Sequence, residues 1–196
     1  MIRRAAPALA LALLLAAVAA PALAGGWAVD SAASAFAFVS VKNGEIAEAH
    51  SFGELTGEVH EDGAAEVRLG LGSVETGIEI RNARMREMLF QVADHPLAMI
   101  HADIDLAAYD AMAVGERRME VREIAVAANG EQAFYMAHLA ITRIGEDRVA
   151  VSSALPILVE ASDFGYGAGL EALRAVAGLD SISPAVPVTF DLVLAR

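Results

Sequence analysis

The chain has 196 residues, 56% of them hydrophobic, no cysteine, and 26 acidic against 14 basic side chains for a formal net charge of −12. The apolar content excludes intrinsic disorder, and the missing thiols exclude a disulfide or cysteine–zinc scaffold. The acid excess excludes nucleic acid as a natural partner, because neutralising phosphates requires surplus Lys and Arg.

Arg3 and Arg4 precede an apolar run, Ala5 to Ala20, which Pro21 breaks before Ala22-Leu23-Ala24. A positive start, a short apolar stretch and a small-x-small site predict a signal peptide over residues 1–24, cleaved after Ala24. The run falls short of the roughly 20 apolar residues that cross a bilayer. Residues 25–196 then form one domain of 172 residues, with 12 basic side chains and a net charge of −14. A chain of that size can bury about 70% of its unfolded surface and needs no disulfide. The expected location is periplasmic or secreted, with no transmembrane segment in the mature chain.

From there the pattern is mostly strand. Ser34 to Val41 alternates, with Phe36 and Phe38 on one face. Leu55, Gly57 and Val59 alternate with polar neighbours, as do Val67, Leu69 and Leu71. Ile100, Ala102, Ile104 and Leu106 oppose His101, Asp103 and Asp105. Met119 and Val121 oppose Arg118, Glu120 and Arg122, after which the period slips at Glu123 before Ile124 and Val126, predicting a bulge. The last strand sets Val186, Val188, Phe190, Leu192 and Leu194 on one side. Period two marks half-buried antiparallel strands. Asn43-Gly44, Asp62-Gly63 and Asn129-Gly130 are hairpin dipeptides.

Two segments have helical spacing. Asn82 to Phe90 places Met85, Met88 and Leu89 together, with Asn82 as its N-cap, and Gly169 to Gly178 ends on a C-cap glycine. The expected fold is all-β: about eight antiparallel strands with two short helices. Such strands close into a barrel or stack as a sandwich, and an eight-stranded barrel has room for side chains or one small ligand. A wall rich in Ala and Val favours a cavity.

His101-x-Asp103-x-Asp105 is the best metal-like string, but Cα atoms two apart on a strand are about 6.5–7 Å apart, too wide for comfortable chelation. It reads as a solvated strand face, and no metal site is expected. Nucleophile elbows and dinucleotide loops are missing as well, so no catalytic residue is assigned. Arg81, Arg84 and Arg86 form a basic cluster, read either as a patch for a ligand's polar head or as a solvated helix face balanced by Glu79 and Glu87.

The stretch Gly72 to His101, GSVETGIEIRNARMREMLFQVADHPLAMIH, resembles the signature of the YceI-like family, the lipid- or polyisoprenoid-binding domain of exported bacterial proteins. Ser73, Thr76, Gly77, Arg81, Asn82, Phe90 and Pro96 carry the resemblance, with Trp27, Asp30, Ser34 and Phe38 upstream. Two departures concern ligand contacts more than fold. Ala137 to Arg143 reads AHLAITR where the family often has Thr-x-His-Gly-x-Thr-Lys, and no Arg shortly precedes Asp163-Phe164-Gly165.

The resemblance implies a lipocalin-like, extended barrel around an isoprenoid chain such as a quinone tail. Phe36, Phe38, Phe52, Ile100 and Ile104 are the expected ligand contacts from the strands. Met85, Met88, Leu89 and Phe90 are those from the helix, with Arg81 and Arg84 beside it and Phe164 further on. No cofactor is expected beyond such a lipid or quinone. Two rivals stand beside this carrier: an interaction protein with a filled barrel, forming a homodimer or serving a membrane redox partner, and a small enzyme using His101 and nearby carboxylates.

Overall fold

Twelve strand segments build one antiparallel sheet in the computed structural model, which describes residues 26–196. The expected leader and its cleavage site lie outside the described residues. The segments are β1 (Trp27–Val29), β2 (Ala35–Lys42), β3 (Ile46–Phe52), β4 (Leu55–Val59), β5 (Ala64–Gly70) and β6 (Val74–Glu75). They continue as β7 (Leu97–Asp103), β8 (Arg117–Ala128), β9 (Glu131–Gly145), β10 (Arg148–Ser153), β11 (Ile157–Glu160) and β12 (Ala185–Ala195).

Pairing joins these segments into eight long strands. β4 pairs with β1 and β3 with β2, so β1–β2 and β3–β4 are two long neighbours, each interrupted once. β5 and β6 lie against β4 and β3, and β10 and β11 against β12. β12 also pairs with β1 and β2, which closes an eight-stranded barrel. Closure removes the free edges that an open sheet would present.

The turns follow the dipeptides. Asn43 and Gly44 (φ 53° and 73°) and Asn129 and Gly130 (φ 53° and 79°) take positive φ at both positions, the geometry that matches hairpin twist.

Three short helices complete the fold, one more than the periodicity predicts. α1 (Glu79–Arg84) runs on into a wider π-helical turn, Met85–Leu89. α2 (Leu106–Asp110) takes Leu106 out of the strand to which alternation assigns it. β7 ends at Asp103, and Asp105 caps the new helix by accepting from the Ala108 N–H. α3 (Gly167–Ala177) ends at Gly178, φ 63°, as expected of a C-cap. α3 packs against the π-helical turn at one end of the barrel. There a Cβ on Gly169 would sit 2.5 Å from the Met88 carbonyl oxygen, so only glycine permits the approach.

Two local readings are corrected. Asn82 is not an N-cap. The helix starts three residues earlier, and Asn82 is buried within it because Thr76 offers its side chain better partners. Nor does β8 bulge. It pairs with β9 in unbroken register from Arg117↔Thr142 to Ala128↔Glu131. Its inward phase is Arg118, Glu120, Arg122, Ile124, Val126 and Ala128, while Met119 and Val121 face solvent, 61% and 53% exposed. The polar half of that inward face is held by α2. Arg118 Nη1 donates to the Ala108 carbonyl at 2.9 Å, and the Tyr109 hydroxyl donates to Glu120 Oε2 at 2.6 Å.

Candidate functional site

The inward side chains do not fill the barrel. Small residues such as Ala65, Ala98, Ala102 and Ala128 leave two apolar chambers along its axis. The first, about 140 Å³, lies at the α2 end against Trp27, Val59, Ile104, Tyr109, Ile141 and Leu194. The second, about 180 Å³, lies at the α3 end under Met85, Leu89, Phe90, Tyr166 and Leu170. Phe36, Ile100, Ile124 and Phe190 border both chambers and form a waist, where the Phe36 and Phe190 rings stack with centroids 6.5 Å apart.

The strand candidates meet here. Phe38 and Phe52 line the α3-end chamber, Ile104 the α2-end chamber, and Phe36 and Ile100 the waist. From the helices come Met85, Leu89, Phe90 and Phe164. Aromatic contacts link Phe52 to Phe90 (5.8 Å), Phe90 to Tyr166 (5.7 Å) and Tyr166 to Phe164 (6.2 Å), building the wall at that end.

Met88, Arg81 and Arg84 do not join them. Met88 is half-buried beside α3, where its carbonyl faces Gly169. Arg81 is held by the fold: it donates to Glu48 Oε2 at 2.7 Å and to the Thr76 carbonyl at 2.6 Å, and Lys42 reaches the same Glu48 oxygen at 2.8 Å. The Lys42 hydrogen bond is the chief influence holding the Glu48 carboxyl below its ordinary range, against the cost of burial. Arg84 borders neither chamber. Arg86 pairs with Glu79 at 2.5 Å.

His101, Asp103 and Asp105 border neither chamber. His101 lies on the outer face of β7 with Nδ1 3.6 Å from Glu66, and Asp105 is spent on capping α2. A different histidine is buried: His50, 5% exposed, packs its ring tilted against Phe38, with centroids 5.1 Å apart, and has Nε2 2.8 Å from the Ser40 hydroxyl. Burial, seconded by the Arg81 charge, depresses its pKa and keeps the ring neutral.

Alternation did not reveal the polar residues of the α2-end chamber, Tyr109, Glu120 and Arg122. Their signal is the inward phase of β8, visible only once its register with β9 is fixed. Arg122 Nε donates to Glu120 Oε1 at 2.9 Å, and Nη2 lies 3.4 Å from the Tyr109 hydroxyl. Burial and the bond to Glu120 push the Tyr109 pKa up to about 12, so it stays a neutral donor. Burial opposes ionisation of Glu120, but hydrogen bonds from Arg122 and Tyr109 outweigh it and leave the pKa lowered. Trp27 completes this end, buried under the guanidinium groups of Arg196 (4.3 Å) and Arg143 (5.2 Å).

The YceI-like domain model matches residues 27–194. Among solved structures, a polyisoprenoid binding domain from Saccharophagus degradans is 35% identical, with a TM-score of 0.85 over 87% of this chain and 98% of that one. Burkholderia cenocepacia BcnA, 17% identical, has a TM-score of 0.65 over 84% of this chain and 98% of its own, and shares the fold. No curated protein matches the chain. The chain belongs to the YceI-like family.

Proposed function

We propose that this YceI-like domain is an exported carrier that encloses the chain of an isoprenoid lipid in its barrel. One observation carries the reading: the two chambers abut along the axis, and both present an almost wholly apolar surface. The similarity to a polyisoprenoid binding domain supports it.

Size decides how a chain would fit. An apolar cavity of roughly 150 Å³ stays dry and takes a ligand the size of benzene. Each chamber is of that order, so each accepts a short stretch of hydrocarbon as it stands. A longer tail occupies both, with the Phe36 and Phe190 side chains turning aside at the waist. Each buried CH₂ contributes about 0.8 kcal/mol, so binding needs no strong polar contact. Export would let the domain carry an insoluble tail through an aqueous compartment. Among the described residues, no helix is long and apolar enough to cross a membrane.

Mass spectrometry of an organic extract of the purified protein tests the reading, together with titration by prenyl alcohols of increasing length. Affinity that rises beyond the length one chamber can hold is expected. A purified protein that neither carries nor binds any isoprenoid or fatty chain overturns it.

A further inference from the structure

We infer that a bound lipid lies in one direction, with its polar head at the α2 end beside Tyr109, Glu120 and Arg122, and that this head is uncharged: a carbonyl or hydroxyl rather than a phosphate. The inference rests on the carrier reading above and adds orientation and head chemistry.

The two ends of the cavity differ in kind. At the α3 end the wall is aromatic and aliphatic. Tyr166 borders it, with a hydroxyl that is buried without a partner, and burial pushes its pKa up to about 12. At the α2 end the chamber surface is apolar too, but Tyr109, Glu120 and Arg122 border it, bonded to one another just beyond that surface. Tyr109 is buried, whereas Glu120 and Arg122 keep about a quarter of their side-chain surface exposed, 25% and 27%. Among the described residues, Glu120 and Arg122 are the only charged ones that border either chamber, so a step from hydrocarbon to charged groups lies just beyond this end. An amphiphile places its tail on one side of such a step and its head on the other, because burying an unpartnered polar head against hydrocarbon is costly.

Charge then selects the head. Arg122 is neutralised by Glu120, and its Nη1 donates to the Asp103 carbonyl. Three other guanidinium groups at this end are engaged too: Arg118 with Glu116 at 2.8 Å, and Arg143 and Arg196 with Asp110. A phosphate would have to displace a carboxylate from its arginine in a chain of net charge −12. A neutral oxygen needs no displacement, because Arg122 Nη2 makes only a long contact, 3.4 Å, with the Tyr109 hydroxyl and can donate to a ligand.

Trp27, the single tryptophan, lines this chamber and not the other, so it reports on the head directly. A ubiquinone with a two-isoprene tail should quench Trp27 emission on binding, while squalene, an isoprenoid without a head, should bind without quenching. Geranylgeraniol should bind at least tenfold more tightly than geranylgeranyl phosphate, which has the same tail. Arg122→Met should weaken geranylgeraniol about tenfold, the scale of one hydrogen bond to a charged group, and weaken squalene much less.

Quinone binding without quenching overturns the inference. So does phosphate binding as tight as alcohol binding, or an alcohol affinity that falls in Tyr166→Phe and not in Arg122→Met. In each of those cases squalene still binds, and the carrier reading survives. If squalene, alcohol and quinone all fail to bind, the carrier reading falls, and the inference with it. The quenching and paired-lipid measurements use the unmodified chain, so misfolding of a variant does not blunt them.

Discussion

The side-chain carbonyl of Asn82 accepts two hydrogen bonds from Thr76, one from its backbone N–H at 2.9 Å and one from its hydroxyl at 2.6 Å. Both residues are buried, and Asn82 is 1% exposed. This pair ties α1 to the end of β6 and sets where the π-helical turn, with Met85 and Leu89, meets the chamber.

Asn82→Ala leaves the Thr76 N–H buried and unpaired, and the Thr76 hydroxyl with only a long contact, 3.4 Å, to the Ile78 carbonyl. A loss of about 2–4 kcal/mol is expected, since each such group costs about 1–3 kcal/mol. Asn82→Ala with Thr76→Val removes the hydroxyl donor as well and should recover part of that loss. Urea denaturation of both variants checks this, and equal losses would show that the hydroxyl bond contributes nothing.

Leu89→Asp should abolish or strongly weaken binding of a prenyl chain, because an unpaired carboxylate would face hydrocarbon. Met88→Asp should do much less, since Met88 is half-buried and lines neither chamber. Arg84→Ala should leave binding unchanged. Titration with geranylgeraniol, accompanied by a circular-dichroism melt to establish folding, measures all three. Equal effects of the two Asp variants while both remain folded would mean that the turn does not control the chamber.

Gly169→Ala should destabilise the protein by about 1–3 kcal/mol, as overpacking does. In an exposed helix the same change would gain close to 1 kcal/mol from propensity. Here the new Cβ would lie 2.5 Å from the Met88 carbonyl oxygen and 2.9 Å from the Leu89 Cα, both backbone atoms that cannot swing aside. The sign of the change in Tm settles which effect wins.

His50 makes stability pH-dependent near neutrality. Its folded pKa lies below the unfolded value of about 6.5, so above that pH neither state binds the proton and the linkage is silent. As pH falls below about 6.5 the unfolded chain takes the proton first, and stability drops. The lowered carboxylates, Glu48, Glu75, Glu116 and Glu120, act only below their ordinary range near 4.5. Between pH 6.5 and 5 the decline should therefore shrink in His50→Gln. Melting curves across that interval test it, and parallel slopes would rule His50 out.

The phase of β8 predicts two opposite responses. Met119→Ser and Val121→Thr change exposed side chains and should move stability by no more than about 0.5 kcal/mol. Ile124→Ala removes a buried residue at the waist and should cost about 2–4 kcal/mol. Had β8 bulged at Glu123, bringing Met119 and Val121 inward, those two substitutions would rank with Ile124→Ala.

The sequence by itself determined the class of fold and which residues share a strand face. Alternation along β7 and the residue after it grouped Ile100 with Ile104, and alternation along β12 grouped Phe190 with Val188 and Leu192; barrel closure then made those faces the inside. The hairpin dipeptides had to turn where Asn43-Gly44 and Asn129-Gly130 stand, because few residues tolerate two successive positive φ angles. Register, length and side-chain partnership were beyond it. In β8 apolar and polar residues exchange faces along a strand that never slips, and only pairing with β9 shows that Arg118, Glu120 and Arg122 point inward. Alternation assumes that the inside is apolar along the whole strand. This barrel ends in a polar rim bonded to α2, so the rule fails there. Asn82 and Arg81 failed for a related reason. A side chain that can cap a helix or greet a ligand goes instead to whichever buried partner the tertiary fold brings within reach, here Thr76 and Glu48.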